Sequence, residues 1–187
     1  KDDATVAVLL SRRHPDFGGE FEELFALTLA DIRNKKENDI VVLSQWFGDL
    51  FSQEAIDFSA FQYIKLDLRK ESLQDGVAMS TRVFLNRLLL QIRRNMSEEK
   101  LVQVLLLPQY APHTEQLFHF DNLKLYQSAQ KFYNVAGFHV FNRVVTENAQ
   151  EKARQLENER RQYSDDESSA TDSEHELDGK ISRKDHR

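Results

Sequence analysis

The composition of the chain changes abruptly after Thr146, and this change limits which residues can form a folded core. All 13 Phe lie within residues 1–146, whereas residues 163–179 hold seven acids and no Lys or Arg. An acidic, apolar-poor segment buries too little surface to offset the entropy of ordering its backbone, so it is expected to stay disordered. The sequence therefore predicts a folded domain over residues 1–146, a charged helix over residues 147–162, and a disordered acidic tail over residues 163–187.

Apolar runs and helical periodicities alternate along the predicted domain. Short runs rich in Val, Ile and Leu have the length of buried strands, and apolar residues recur every three or four positions between them. The predicted strands are residues 5–10, 40–44, 61–68, 101–107 and 138–145, and the predicted helices are residues 21–32, 82–95 and 122–134. This alternation predicts an α/β fold. We expect a three-layer, Rossmann- or flavodoxin-like arrangement, with a mostly parallel sheet of about five strands and helices on both faces.

The composition of the 187-residue chain also excludes several classes of protein. It has no Cys, so disulfides, Cys-bound metals and a thiol nucleophile are excluded. The net charge of −6 is concentrated in the tail, which leaves the predicted domain nearly neutral, so a nucleic-acid binder is not expected. No apolar run approaches the roughly 18 residues of a membrane span. Because the sequence begins at Lys1 without Met, we expect a piece of a longer protein, with any membrane tether outside it. The expected location is the cytoplasm or the cytosolic face of a membrane.

The segment SRRHPDFGG follows the first predicted strand, at the end of the sheet where ligands bind in open α/β folds. Two guanidinium groups and a hydroxyl lie next to two glycines, which allow a close backbone approach. The segment predicts a small-anion site formed by Ser11, Arg12, Arg13, Gly18 and Gly19. The other interpretation is a solvated basic loop. Because the chain has only six Gly and no Gly-rich phosphate-binding motif, no nucleotide cofactor is expected.

A catalytic site is not predicted, although the residue types for one are present. Ser11 or Ser44 can be combined with Asp49 and with His113 or His119, but no Gly-x-Ser-x-Gly elbow supports such a triad. Asp49 equally suits the N-cap of a helix. The histidines lack the i, i+4 spacing of a helical zinc site. We therefore predict no catalytic residue, metal or cofactor, and keep a hydrolase that uses Ser11 or Ser44 as an alternative.

Four hydroxyl groups in the tail stand three residues ahead of an acid, a pattern that suits an acidic-directed kinase. The predicted phosphorylation sites are Ser164, Ser169, Thr171 and Ser173. Each phosphate would add nearly two negative charges to an already acidic segment. The predicted mechanism is a change in the docking of the tail on a basic surface, formed by Arg12 and Arg13 or by Arg93 and Arg94. The alternative is a solubilising tail whose acids follow these hydroxyls by chance.

Two stretches of the predicted domain carry a resemblance to known proteins. The strings LNRLL at residues 85–89 and VLLLP at residues 104–108 are followed by a predicted helix and a final strand. This order resembles the C-terminal cytosolic domain of cation-chloride cotransporters. Potassium-chloride members of that family also have charged helices that lead into Ser-Asp-acid segments, as residues 154–176 do here. The resemblance implies a non-catalytic, dimerising regulator of transport.

The string DIVVLSQWFGDL at residues 39–50 is similar to a different family, the SGNH (GDSL-type) hydrolases. In that family a strand leads to a Gly-x-Asn-Asp block. Here Gly48 takes the position of the oxyanion-hole Asn, and only Ser11 could stand for the nucleophile. This second resemblance implies an inactive relative of a hydrolase.

The sequence thus predicts a non-catalytic regulatory or protein-interaction domain, regulated by phosphorylation of its acidic tail. We expect it to be the cytosolic part of a larger protein, such as a membrane transporter. Its partner is expected to be either another protein or a second copy of the chain. The alternatives are an active or inactive hydrolase and a sensor of small anions or nucleotides.

Overall fold

The computed structural model describes residues 2–14, 16–69, 76–120 and 122–169. These residues form α-helices, short 3₁₀-helices and connecting segments. The α-helices are α1 Asp2–Arg13, α2 Asp16–Ala30, α3 Glu37–Ser52, α4 Gly76–Asn95, α5 Glu98–Leu105, α6 Ala111–Phe118, α7 Tyr126–Ala136 and α8 His139–Ser169. The 3₁₀-helices are Ile32–Asn34, Phe58–Tyr63 and Leu123–Leu125.

The predicted three-layer α/β fold is wrong, because the described residues contain no β-strand. The predicted strand at residues 40–44 lies inside α3. A short apolar run suits a buried strand and the buried face of a helix equally well. The residues that follow this run favour a helix, because buried side chains continue to recur there every three or four residues. They are Ile40, Ser44, Phe47, Gly48, Leu50 and Phe51.

Three other predicted strands are wrong for the same reason. Residues 5–10 lie in α1, residues 138–145 lie almost entirely in α8, and most of residues 101–107 lie in α5. In α5 the apolar run is one face of an amphipathic helix, which buries Glu98, Leu101, Val102 and Leu105. The helix begins upstream of the run, where the Ser97 hydroxyl accepts a hydrogen bond from the Lys100 backbone N–H at 3.2 Å.

The predicted edge strand at residues 61–68 is partly an extended segment but not a strand. Ile64, Leu66 and Leu68 are buried at alternate positions, as the period-2 pattern predicted. No described residues pair with them as a second strand. A side chain from α4 holds this segment instead, since Arg82 Nε donates to the carbonyl oxygen of Asp67 at 2.9 Å.

The three predicted helices are confirmed, with different ends. Residues 21–32 fall largely in α2, residues 82–95 in α4, and most of residues 122–134 in α7. α4 begins at Gly76, earlier than predicted, and α7 begins at Tyr126, later than predicted. α7 ends at Ala136, and the next residue, Gly137, has a φ of 73°, a left-handed conformation that glycine adopts readily.

One part of the core is an aromatic cluster between α2, α3 and α4. The ring of Phe25 lies 5.0 Å from that of Phe47 and 5.2 Å from that of Phe51, both in edge-to-face geometry. Phe84 of α4 packs on the same cluster. All four side chains are fully buried, so their apolar area is removed from water.

The close contact between α3 and α4 depends on a glycine. A Cβ atom added at Gly48 would lie 2.6 Å from Cβ of Gln91, well inside contact distance. The neighbouring Asp49 accepts hydrogen bonds from Nε2 of Gln91 at 2.7 Å and Nδ2 of Asn95 at 3.3 Å. Asp49 therefore links α3 to α4 from the last turn of α3, and the interpretation that it is the N-cap of a helix is wrong.

A second aromatic cluster joins α6, α7 and the start of α8. Phe118 stacks on Phe141 with ring centroids 5.5 Å apart, and Tyr133 packs against Phe141 at 5.1 Å. The hydroxyl of Tyr133 donates to the carbonyl oxygen of Leu117 at 2.7 Å. Because this hydroxyl is buried, desolvation of the phenolate raises the pKa of Tyr133 far above its ordinary value.

The first turn of α8 is held by a buried carboxylate. Glu98 Oε1 accepts hydrogen bonds from the backbone N–H groups of Val140 at 2.6 Å and Phe141 at 3.1 Å. Arg93 lies beside it, with Nη1 3.7 Å from Glu98 Oε2. Arg93 also donates to the carbonyl oxygen of Gly137 at 2.8 Å. The turn between α7 and α8 is thus fixed by one acidic and one basic side chain.

The chain divides into two compact units, Lys1–Ala149 and Gln150–Arg187. In the second unit, α8 carries charged side chains with few apolar ones, and Glu157 forms an ion pair with Arg161 at 2.6 Å. The helix continues to Ser169. The tail predicted to be disordered covers residues 163–187, of which residues 163–169 belong to α8 and residues 170–187 lie outside the described residues.

Candidate functional site

A groove of about 940 Å³ lies between α4, α7 and the extended segment that precedes α4. We call it the α4–α7 groove. Its apolar lining comes mostly from α7 and its approach. The lining residues are Leu68, Arg69, Arg82, Asn86, Asn122, Lys124, Leu125, Gln127, Ser128, Lys131, Phe132, Val135 and Ala136.

The spacing of side chains on α7 explains why apolar groups reach the groove. Ala129 and Tyr133 are buried on the face that packs into the core. Phe132 and Val135, three residues apart, belong to the stripe that lines the groove. Val135 is 83% exposed, which is the largest exposure recorded for a large apolar side chain in the described part of the chain. The groove therefore presents apolar surface to solvent.

The charged side chains of the groove lining are all basic. Arg69 forms an ion pair with Asp67 at 2.6 Å, and Arg82 donates to backbone carbonyl oxygens. Lys124 and Lys131 are exposed, and no described carboxylate lies within ion-pair distance of either. No Asp or Glu is among the lining residues. The groove thus combines apolar contact area with a local excess of positive charge.

One polar atom of the groove lining lacks a partner. Oδ1 of Asn86 is buried and has no hydrogen-bond partner among the described residues. Buried polar atoms are nearly always hydrogen-bonded, because an unmade bond leaves the desolvation of the atom uncompensated. Asn86 therefore carries a buried acceptor whose desolvation is uncompensated among the described residues.

A second, smaller depression of about 220 Å³ is lined by Gln62, Pro112, His113, Glu115 and Gln116. Near it, the hydroxyl of Tyr110 donates to Oδ2 of Asp57 at 2.7 Å. Partial burial raises the pKa of Asp57, but hydrogen bonds from Ser59 and Tyr110 outweigh it and leave that pKa below its usual range. The same hydrogen bond, with some burial, raises the pKa of Tyr110. This hydrogen bond connects the start of α6 to the start of the 3₁₀-helix Phe58–Tyr63 and stabilises the contact between them.

The Tyr110–Asp57 bond predicts a pH-dependent stability difference. We expect Tyr110→Phe to lower the free energy of unfolding by about 1 kcal/mol at pH 7, because the carboxylate loses a hydroxyl donor. A carboxyl whose folded pKa is lowered stabilises the fold above its unfolded pKa and loses that contribution as the pH falls through the folded value. The difference between variant and wild type should therefore shrink below about pH 4.

Urea unfolding at a series of pH values measures this difference. Tyr63→Phe is the matched control, because Tyr63 is an exposed tyrosine of the adjacent 3₁₀-helix and the structure gives its hydroxyl no partner among the described residues. A Tyr110→Phe effect that is the same at pH 7 and pH 3 would contradict the assignment.

In comparisons with known proteins, no protein-family model and no curated protein matches the chain. The cotransporter resemblance implies a strand that ends at Pro108, where the structure has α5 and the turn that follows it. The hydrolase resemblance implies a strand within residues 39–50, where the structure has α3.

The residues of the predicted anion site lie where α1 ends and α2 begins, whereas the sequence predicted a loop after a strand. Ser11, Arg12 and Arg13 end α1, and Gly18 and Gly19 lie near the start of α2. The two glycines therefore do not interrupt the helix in which they lie. The side chains of residues 11–13 lie outside the described ones, and the anion site stays a prediction.

Two residues of the hypothetical catalytic triad, Ser44 and His119, are buried in the fold. Ser44 is fully buried, and its hydroxyl donates to the carbonyl oxygen of Val41 at 2.9 Å. His119 is buried at the end of α6, with a φ of 52°. Among the described residues no group of three His, Asp or Glu side chains is arranged to hold a metal ion. No described helix is both long and apolar enough to cross a membrane.

The predicted phosphorylation sites lie partly outside the described residues. Ser164 and Ser169 are in the last turns of α8, and Thr171 and Ser173 are not described. Of the predicted basic docking surface, Arg93 packs over the ring of Phe138 at 4.8 Å and is used to fix the start of α8. Arg94 donates to Oε1 of Gln91 at 2.8 Å.

The sequence analysis missed the α4–α7 groove altogether. A signal was present in α7, because Phe132 and Val135 are apolar residues outside the stripe that Ala129 and Tyr133 form. Such surplus apolar residues on an amphipathic helix indicate a second covered face. The basic character of the groove could not have been found this way, since it depends on residues that the fold brings together.

Proposed function

We propose that the chain is a non-catalytic protein-interaction module, and that its α4–α7 groove binds a segment of a partner protein. The observation that carries the proposal is the exposed apolar lining of a concave surface, with Val135 at its most exposed point. Apolar surface that forms a groove is more often a binding site than scattered surface residues are. Grooves between helices are a common way to bind a peptide segment.

The chemistry of the groove favours binding over catalysis. Its lining holds no His, Asp, Glu or Tyr, and its ionisable side chains are those of two Arg and two Lys. Of the two serines that the sequence suggested as nucleophiles, Ser11 and Ser44, Ser44 is buried and hydrogen-bonded. These observations support an interaction module over a hydrolase.

The proposal includes the cellular setting and the control expected from the sequence. We place the module in the cytoplasm or on the cytosolic face of a membrane, within a larger protein such as a transporter. An acidic-directed kinase would modify Ser164, Ser169, Thr171 and Ser173, and the added charge would change the affinity for the partner. Titration of the same partner peptide with the phosphorylated chain measures this change.

The groove is tested by selecting peptides from a random library on the full chain, then measuring their affinity for Val135→Asn. The substitution removes apolar contact area without adding charge. We expect it to weaken groove-binding peptides about tenfold, the effect of about 1.4 kcal/mol of lost contact. Because Val135 is exposed, the thermal unfolding temperature should change little.

Val42→Asn is the matched control, because Val42 is also a surface valine, 63% exposed, but lies on α3. Selected peptides should bind this variant as tightly as the wild type. If every selected peptide binds Val135→Asn and Val42→Asn equally well, the groove is not the binding site and the proposed function is wrong.

A further inference from the structure

We infer that the segment bound by the α4–α7 groove is acidic as well as apolar, with carboxylates flanking the residues that cover Phe132 and Val135. This inference rests on the proposed function and specifies the class of partner.

The charge pattern of the groove selects for acidic ligands. Its lining contains four basic side chains and no acidic one. Lys124 precedes α7 and Lys131 lies in the middle of it, so two ammonium groups accompany the apolar stripe of the helix. Neither has a carboxylate within ion-pair distance in the described part of the chain. A basic partner would meet like charges here, which disfavours binding.

The apolar groups distinguish an acidic polypeptide from other anions. Nucleic acid binds mainly through many phosphate contacts, whereas the groove lining has only four basic side chains, and Arg69 and Arg82 already contact protein acceptors. A small anion would leave Phe132 and Val135 uncovered. A polypeptide with apolar residues and carboxylates satisfies both the apolar and the basic part of the groove.

The acidic preference has a second consequence for the intact chain. Residues 163–179 carry seven acids and no Lys or Arg, and phosphorylation would add more negative charge to a chain that binds an acidic partner. The predicted direction of the regulation is therefore weaker partner binding when the tail is phosphorylated.

The library selection described above also tests this inference, through the composition of the peptides whose binding depends on Val135. We expect these peptides to be enriched in Asp and Glu next to apolar residues. The double variant Lys124→Glu/Lys131→Glu should bind them at least about tenfold more weakly at low ionic strength. Raising the salt to about 0.5 M should reduce that difference, because exposed charges are then screened.

Lys100→Glu is the control for a charge reversal elsewhere, because Lys100 is exposed on α5 and outside the groove. Val135-dependent peptides without acids, or equal affinity for the double variant and for Lys100→Glu, would overturn the inference and leave the proposed function standing. No Val135-dependent peptide at all would overturn both. Anionic phosphatidylserine vesicles that bind through Lys124 and Lys131, with no such peptide selected, would show a membrane surface to be the ligand instead.

Discussion

Replacing Glu98 by Ala is expected to lower the free energy of unfolding by about 3 kcal/mol. The side chain of Glu98 is nearly buried and accepts hydrogen bonds from the backbone N–H groups of Val140 and Phe141. These groups belong to the first turn of α8, where no preceding carbonyl of the helix can accept them. The carboxylate also lies at the positive end of the helix dipole. Its removal leaves two donors unpaired in a region that the protein itself covers.

The neighbouring Arg93 makes the loss larger. Its guanidinium lies 3.7 Å from Glu98, packs over the ring of Phe138, and donates to the carbonyl oxygen of Gly137. Without the carboxylate, a partly buried cation loses its nearest negative charge. We therefore expect the junction of α7 and α8 to loosen before the aromatic cluster of α2, α3 and α4 does.

Chemical denaturation of Glu98→Ala and Glu99→Ala measures this effect. Glu99 is the next residue of α5 but is exposed, so its removal should cost no more than about 0.5 kcal/mol. Glu98→Gln, which keeps one acceptor oxygen but not the charge, should fall between the two. Hydrogen exchange should show faster exchange of the amides of Val140 and Phe141 in Glu98→Ala. Equal stability of the Glu98→Ala and Glu99→Ala variants would contradict the role assigned to the carboxylate.

The comparison of α3 with α7 shows how much of this fold can be predicted from sequence. In α7 the apolar residues are separated by polar ones, so the helical period is visible and the prediction is right. In α3 and α5 apolar residues are consecutive, and a run such as IVVL fits a strand or a fully covered helix. The decision then depends on the flanking residues. In α3 these are Phe47, Leu50 and Phe51, which complete the buried face of the helix.

The site was harder to predict than the helices, because its residues are brought together by packing. Leu68 comes from an extended segment, Asn86 from α4, and Lys131 from α7. No spacing rule relates these positions in the sequence. The candidate residues that the sequence did suggest belong to short local strings, such as SRRHPDFGG, and these depended on a sheet that is not among the described elements.

Replacing Gly48 by Ala is expected to destabilise the chain by about 2 kcal/mol, although Ala is the better helix former. In open space the change would stabilise a helix by about 1 kcal/mol, because glycine loses more backbone entropy on folding. At this position the added Cβ would lie 2.6 Å from Cβ and 2.8 Å from Cγ of Gln91, and 3.2 Å from the carbonyl oxygen of Leu88. The clash with Cβ cannot be relieved by a rotamer change, so α3 and α4 must move apart.

Gly19→Ala is the matched control, because Gly19 is also helical and an added Cβ there meets nothing within 4 Å. We expect urea denaturation to show Gly19→Ala at least as stable as the wild type and Gly48→Ala less stable. The variant Gly48→Ala/Gln91→Gly removes the clashing side chain, so the combined effect should be smaller than the sum of the two single effects. If Gly48→Ala is as stable as Gly19→Ala, the close approach of α3 and α4 is wrong, and so is the packing that orients α4 toward the groove.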